Sequence, residues 1–369
     1  GIAEWALGIA RELPKLGHTT SVYVTHRKNR DLSIHKDEKF DCHPMYGRNW
    51  HEFHRFYAGY YMWKILKENP DTVFIVTTWG MAKSFNFLKK RYPKSKMIVV
   101  AHGLEITRLK PSRELSTMTK VVSSSDLVLS VSKFTRDEII NRLDSINTNH
   151  VKFLPNGVDT NRFFPIEADE SFLEKYNIPI GSDLILTLAR IIKRKAHDDV
   201  IRAMPDILSA FPQAHYAIAG PHRKKDPYLY FLKQLVKDLS LENHVTFIDF
   251  IPDEDLKKIY SVSKVYVMAS RTLHETGDSE GFGITFLEAN ACGCPVIGSY
   301  EGGIPDAVEN EINGLLVPSD SPNDISKAIK KLFSNEDYRK NIVKKGMERV
   351  SNKFTWEKLT IQMLDMLNS

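Results

Sequence analysis

Short runs of β-branched and aliphatic residues alternate along the chain with stretches whose apolar positions recur every three or four residues. In the first half the runs cover residues 22–25, 72–78, 97–101 and 127–131, with helical patterns such as Ala6/Ile9/Ala10/Leu13 and Tyr57/Tyr61/Ile65 between them. The second half repeats this with runs at 184–188, 215–219, 245–248, 265–268 and 295–298, each followed by a helical stretch or a polar loop. Runs of this length predict strands, and their alternation with helices predicts parallel sheets covered by helices on both faces. Two successive doubly wound α/β domains follow. Their junction is expected at Leu154-Pro155-Asn156-Gly157-Val158-Asp159, where Pro, Asn and Gly break both patterns. The first domain is thus expected over 1–155 and the second over 156–354. A last amphipathic helix, about 355–369, with Trp356, Leu359, Met363 and Leu367 on one face, is expected to return and complete the first domain. A doubly wound domain normally begins with a central strand feeding its first Gly turn, so roughly 10 to 20 residues including that strand are expected to precede Gly1.

Composition adds modest bounds. At 369 residues, 42% hydrophobic and 26% charged, the chain reads as a soluble globular protein of two domains. None of its apolar runs reaches the ~18 residues of a membrane span. The net charge of +5 is unevenly placed: residues 1–155 carry 25 Lys+Arg against 15 Asp+Glu, and the remainder 26 against 31. A first half at +10 suits an anionic partner, phospholipid headgroups or a phosphorylated acceptor, as readily as it suits a merely solvated surface. Residues 48–63 are rich in aromatics and include Arg48 and Arg55; their spacing is mostly core-like, yet they would also help a basic face rest on a membrane. Nucleic acid is not among the partners this pattern predicts. Cys292 and Cys294 lie in an apolar run without metal-type spacing, and read as small buried residues of a cytoplasmic protein.

The segment Glu280-Gly281-Phe282-Gly283-Ile284-Thr285-Phe286-Leu287-Glu288 holds the densest chemistry. Eight residues of helix span about 12 Å, comparable to the distance from sugar to ribose in a nucleotide-diphosphate sugar. Gly281 and Gly283 let backbone close on a ligand, and Ile284 opens a helix whose N–H groups attract a diphosphate. A sugar hydroxyl, two phosphates and a ribose diol fit such a segment; a glycine turn between two solvated glutamates has the same sequence. Arg190 and Lys195 follow the run at 184–188, and cations at the carboxyl end of a parallel strand face the crevice where such folds bind ligands. An Arg fork and a Lys point charge suit a diphosphate and its departure. His102 follows the run at 97–101, within reach of a donor sugar or a reacting oxygen, or simply capping a strand end. Gly220 and Ile251 stand at two further strand tips, the one suited to a diphosphate or ribose, the other to a base, unless both are only turns. Asp253-Glu254-Asp255 matches a divalent-cation motif but stands after Pro252 at a helix start, where acidic residues favour the dipole, so no metal is expected. Phe286 occupies the third glycine position of a dinucleotide fingerprint, which disfavours a nicotinamide enzyme.

Together these segments resemble the family 4 retaining glycosyltransferases of the GT-B fold, nearly end to end: Gly1 to Glu4 with the helix to His18, His102 to Glu105, residues 126–139, residues 155–163 (PNGVDTNRF), residues 189–198 (ARIIKRKAHD), the Glu280–Glu288 motif and Gly302-Gly303-Ile304-Pro305-Asp306. The resemblance implies two Rossmann-like domains facing an interdomain cleft and a GDP- or UDP-linked sugar as donor, with no cofactor. It implies that Glu280 contacts sugar hydroxyls and Glu288 the ribose diol. Arg190 and Lys195 would hold the diphosphate with backbone N–H of Phe282 and Gly283. His102 would touch the donor sugar from the other domain, and Gly1 would lie under the diphosphate. Transfer would retain configuration without a metal, the acceptor attacking from the leaving-group face and the departing phosphate taking its proton. Gly277-Asp278-Ser279 looks most like cytoplasmic mannosyltransferases with lipid-linked acceptors, which would place the protein against the cytoplasmic membrane face; a glycan acceptor is the other expectation. Ala189 stands where the pattern usually has Gly, a change small enough to leave activity intact. The competing readings are an epimerase on the same architecture and a catalytically silent sugar-nucleotide-binding module. Loss of Glu280 or Lys195 is expected to abolish transfer and leave the protein folded.

Overall fold

The computed structural model describes residues 1–25, 36–45, 54–108, 112–143, 146–167, 169–222 and 225–369. The chain divides into two compact units, residues 1–157 with 356–369, and residues 158–355. Every strand pairing between the named strands is parallel.

In the first unit, β1 (Ser21–Thr25) pairs with β2 (Asp41–Met45), and β3 (Val73–Val76), β4 (Lys96–Ala101), β5 (Leu127–Ser130) and β6 (Val151–Phe153) form a four-stranded sheet in that order. Met97 to Ala101 are wholly buried because apolar helix faces press on the sheet, with Leu66 from helix His54–Glu68, Met118 and Val122 from helix Ser112–Ser124 and Ile139 from helix Lys133–Arg142 in one core. The closing helix Trp356–Asn368 belongs to this unit and buries Trp356, Leu359 and Met363. Its Trp356 ring occupies space that side chains elsewhere would fill: a Cβ on Gly8 would lie 2.2 Å from the ring, and one on Gly157 2.7 Å.

The second unit carries β7 (Asp183–Leu188), β8 (Ala214–Ala219), β9 (Val245–Ile248), β10 (Val265–Met268), β11 (Val296–Ser299) and β12 (Gly314–Val317), in the order β12-β11-β10-β7-β8-β9. Counted from β7 this is the doubly wound 3-2-1-4-5-6 order, so the winding reverses between β7 and β10. Those two strands are neighbours, Val265 opposite Ile185, and the loops leaving their carboxyl ends meet at the crevice where such sheets take ligands.

Candidate active site

Two loops build the site. The first leaves β7 at Leu188, beneath the tip of β8. Gly220 follows β8 with φ +153°, and a Cβ there would lie 2.0 Å from the Ala189 carbonyl oxygen, so only a bare backbone lets the two strand tips close. Arg190 then points into solvent and makes no ion pair among the described residues. The turn Lys193–Lys195 follows, a single tight turn in which successive side chains diverge by about 120°. Lys193 is exposed while Arg194 and Lys195 are buried. Ala196 takes φ +53° and starts helix His197–Ala210. The His197 ring reaches back to the Arg190 carbonyl, 3.1 Å from Nε2; a carbonyl only accepts, so Nε2 carries the proton.

The second loop leaves β10 at Met268 and delivers Glu280. Arg194 Nη1 and Lys195 Nζ each lie 2.5 Å from the same oxygen, Glu280 Oε2. Burial alone would raise the carboxyl's pKa, but Lys195 and Arg194 outweigh it and hold the group at about 2. Lys195 moves down: burial outweighs the pull of Glu280, and Arg194 and Arg190 push further in the same direction. Two cations thus share one carboxylate, with the exposed Arg190 on the same loop, an excess of positive charge at the switch point. Glu280 and Lys195, expected from the sequence to bind ligand, are also members of a buried ion cluster. The structure also adds Arg194, whose only sequence signal is its place beside Lys195 in a tight turn.

The main chain of Glu280 is held by the glycine pair at 302–303. Gly303 N–H donates to the Glu280 carbonyl at 2.9 Å, and Gly302, at φ +55°, would place a Cβ 2.3 Å from that same oxygen. Gly302→Ala is therefore expected to destabilise by about 1–3 kcal/mol from the left-handed backbone alone, with a further loss from the clash. Gly181→Ala supplies the control, since φ there is +75° but a Cβ would meet nothing within 4 Å. Urea denaturation of both variants checks the expectation that Gly302→Ala costs distinctly more.

After Glu280 the chain passes Gly281 and the buried Phe282, whose ring packs edge-on against Phe354 at 6.2 Å. Gly283 adopts φ +93°, where a Cβ would meet the Phe286 ring at 2.6 Å, and Ile284 begins helix Ile284–Ala291. Among the described residues, the N–H groups of Phe282 and Gly283 donate no hydrogen bond. They stand with Ile284 at the positive end of the helix dipole. Glu288 lies on this helix and accepts from Tyr260 Oη–H at 2.9 Å. Ile251 is buried three residues beyond β9.

His102 and Gly1 lie in the first unit. The His102 N–H donates to the Glu105 carboxylate, its ring meets Trp5 edge to face at 5.9 Å, and its Nε2 is buried without a partner among the described residues. Burial lowers its pKa to about 4, so the ring is neutral at pH 7. Gly1 caps the exposed start of helix Ile2–Glu12. The acidic triplet is otherwise engaged: Asp253 pairs with Arg162 at 3.0 Å, and Asp255 takes Lys175 and Lys258 at 2.8 Å and the Tyr176 hydroxyl at 2.6 Å. Among the described residues no group of acidic, His or Cys side chains is placed to hold a metal.

The chain matches Glycosyl transferases group 1 over residues 169–349 and Glycosyltransferase Family 4 over residues 1–162. It is 30% identical over 273 residues, 74% of this chain and 69% of the relative, to the GDP-mannose-dependent alpha-(1-6)-phosphatidylinositol monomannoside mannosyltransferase of Mycobacterium tuberculosis. Among solved structures it is similar to a glycosyltransferase from Rickettsia africae, TM-score 0.83 at 20% identity, covering 99% of this chain and 93% of the other. Anabaena Alr3699/HepE in complex with UDP and glucose aligns with TM-score 0.81 at 17% identity, covering 100% and 96%. The epimerase reading gains no support from these matches. With this fold, this order of strands and these matches, the chain belongs to the family 4, group 1 glycosyltransferases and is a hexosyltransferase of the GT-B fold.

Proposed function

We propose that the enzyme transfers mannose from GDP-mannose to a lipid-linked acceptor with an anionic headgroup, retaining the configuration of the sugar and using no metal. One observation supports this above the rest: cations in excess of carboxylate stand where the sheet reverses its winding, beside a helix start with unpaired N–H groups. That charge suits a diphosphate. In this reading Arg190, Lys195 and the N–H groups of Phe282 and Gly283 grip it. Glu280 Oε2 is taken by two cations, and Oε1, unpartnered among the described residues, accepts from a sugar hydroxyl. Glu288, oriented by Tyr260, takes the ribose diol, Gly220 lies by the phosphates or ribose, and Ile251 flanks the base. The acceptor oxygen bonds to the anomeric carbon as the bond to the phosphate breaks, and the acceptor's proton passes to the departing phosphate.

The donor and acceptor assignment follows the activity for which the mycobacterial relative is named. A cytoplasmic enzyme resting on an anionic membrane fits the +10 of residues 1–155. It also fits the exposed Phe56, Tyr60 and Trp63 beside Lys64 and Lys67 on helix His54–Glu68. The start of that aromatic stretch, residues 48–53, lies outside the described residues. Among those described, no helix is long and apolar enough to cross a membrane.

The test offers GDP-mannose or UDP-glucose with a phosphatidylinositol mannoside in vesicles, and reads the product's anomeric configuration by NMR. Mannose transfer from GDP-mannose with retention, undiminished by EDTA, is expected. An inverted product, a strict metal requirement or exclusive use of UDP-glucose would each overturn the corresponding part.

A further inference from the structure

Arg271 makes none of the donor contacts assigned above, yet it holds three loops at the carboxyl ends of the sheet. It stands three residues beyond β10. Its main-chain N–H donates to the Arg194 carbonyl at 2.9 Å. Its Nη2 lies 2.7 Å from Asp199 Oδ2 and 3.0 Å from Asp198 Oδ1, in the first turn of helix His197–Ala210, and its Nε lies 2.9 Å from Asp320, which follows β12. Asp198 Oδ1 also accepts from the Tyr228 hydroxyl at 2.6 Å. Arg271, Asp198 and Asp199 are all buried.

Two considerations say what this cluster is for. Buried ion clusters add little net stability over well-packed apolar groups, and their best-attested use is to select one arrangement. The arrangement selected here is a strained one. Ala196 holds φ +53°, a left-handed conformation that a non-glycine residue keeps only when its surroundings enforce it. The turn bearing Arg194 and Lys195 ends at that residue. The loop that carries the turn is held at two carbonyls, Arg190 by the His197 ring and Arg194, within the turn, by the Arg271 N–H.

We propose that Arg271 is a positioning residue for sugar transfer: by tying Asp198 and Asp199 to the loop that delivers Glu280, it locks the Lys193–Lys195 turn so that Arg194 and Lys195 meet Glu280 in the donor site. The inference rests on the diphosphate reading of Lys195. Around Asp199 stand Arg271 and Asp320 from the loops, Asp198 from its own helix and Tyr216 from β8, while Tyr228 from helix Pro227–Asp238 meets Asp198. Helix Pro322–Ser334, packed on the same helix, places Lys330 on Asp206 instead. Burial first, then Asp198, raise the Asp199 pKa to about 6 against the pull of Arg271. Protonation below that pH weakens the brace.

The experiment compares the full chain with Asp199→Asn, Arg271→Met and the double variant, with Lys195→Ala alongside, measuring kcat, donor KM, melting temperature and the pH profile. Asp199→Asn and Arg271→Met are each expected to lower kcat by about 10- to 100-fold, as small displacements of reacting groups do. The double variant should be no slower than Arg271→Met, because the two act through one contact. Wild-type kcat should fall as pH drops through about 6, and Asp199→Asn, near its low-pH rate throughout, should lack that step. Wild-type kcat in folded Asp199→Asn, additive losses in the double variant, or a persisting step near pH 6 would each overturn the inference. Should Arg271→Met fail to fold, Asp199→Asn decides alone. Lys195→Ala separates the two claims: if it transfers sugar normally, the diphosphate reading fails; if it is inactive while the brace variants are fully active, only the positioning role falls.

Discussion

Replacing Lys195 by alanine is expected to lower kcat for sugar transfer by about 10²–10³-fold, the usual effect of removing one preorganised charge from a developing anion. The structure explains why the loss should appear in turnover more than in folding. Lys195 Nζ shares Glu280 Oε2 with Arg194, so the alanine variant leaves Arg194 and Glu280 paired, one charge against one. Its removal also relieves a crowded cation, since burial, Arg194 and Arg190 all press the Lys195 pKa down. A charge held at that cost in a low-dielectric site is worth most when new negative charge appears beside it, as on a departing diphosphate. Donor affinity should fall less than kcat. Lys195→Arg is not expected to rescue, because the buried ammonium already lies 3.1 Å from Met268 Sδ and a larger planar fork would have to displace that side chain. Steady-state rates with calorimetric nucleotide affinities check this. A folded alanine variant with undiminished kcat would remove Lys195 from the chemistry.

The sheet of the second unit was legible because β7 to β10 are apolar runs long enough to stand out, and a doubly wound order follows from their alternation with helices. Three strands were not. Asp41–Met45 contains Asp, His and Pro and, among the described residues, pairs with β1 alone, so no period marks it. Val151–Phe153 has three residues. Gly314–Val317 opens on a glycine accepted there because a Cβ would lie 2.5 Å from Val296. The same division runs through the site. Lys195 and Glu280, singled out by spacing and by position after a strand, prove to be in contact. Arg194 escaped because three basic residues in a row give no sign of which turn inward; only the tight turn decides. Arg271 escaped more completely. Its partners come from a helix start (Asp198, Asp199) and a loop (Asp320), more than forty residues away on either side, and no local pattern announces a meeting made by the sheet. Gly302 likewise shows its purpose only against the Glu280 carbonyl.

Glu280→Gln is expected to inactivate the enzyme and also to destabilise it by about 3–5 kcal/mol, because deleting one partner of a buried ion cluster leaves the others uncompensated. On this reasoning the residue serves the fold as well as transfer. With the carboxylate gone, Arg194 and Lys195 face each other as like charges, 4% and 10% exposed. The pH dependence tests the cause. In the wild type the Glu280 carboxyl, held at about 2 against an ordinary 4.5, contributes stability that is present above pH 4.5 and lost as pH falls toward 2. The variant lacks that contribution, so the gap between the two proteins should narrow across this window. At the alkaline end the sign comes from Lys195, whose pKa is already below its ordinary 10.5 and loses in the variant the Glu280 attraction that opposed the fall. The unfolded chain then binds the extra proton between the lowered value and 10.5, so the variant should gain stability with rising pH through that range, more than the wild type does. Urea melts of both proteins from pH 2 to 10 measure this. A pH-independent gap would mean that the loss comes from packing around the amide, and the ion cluster would then carry no part of the fold's stability.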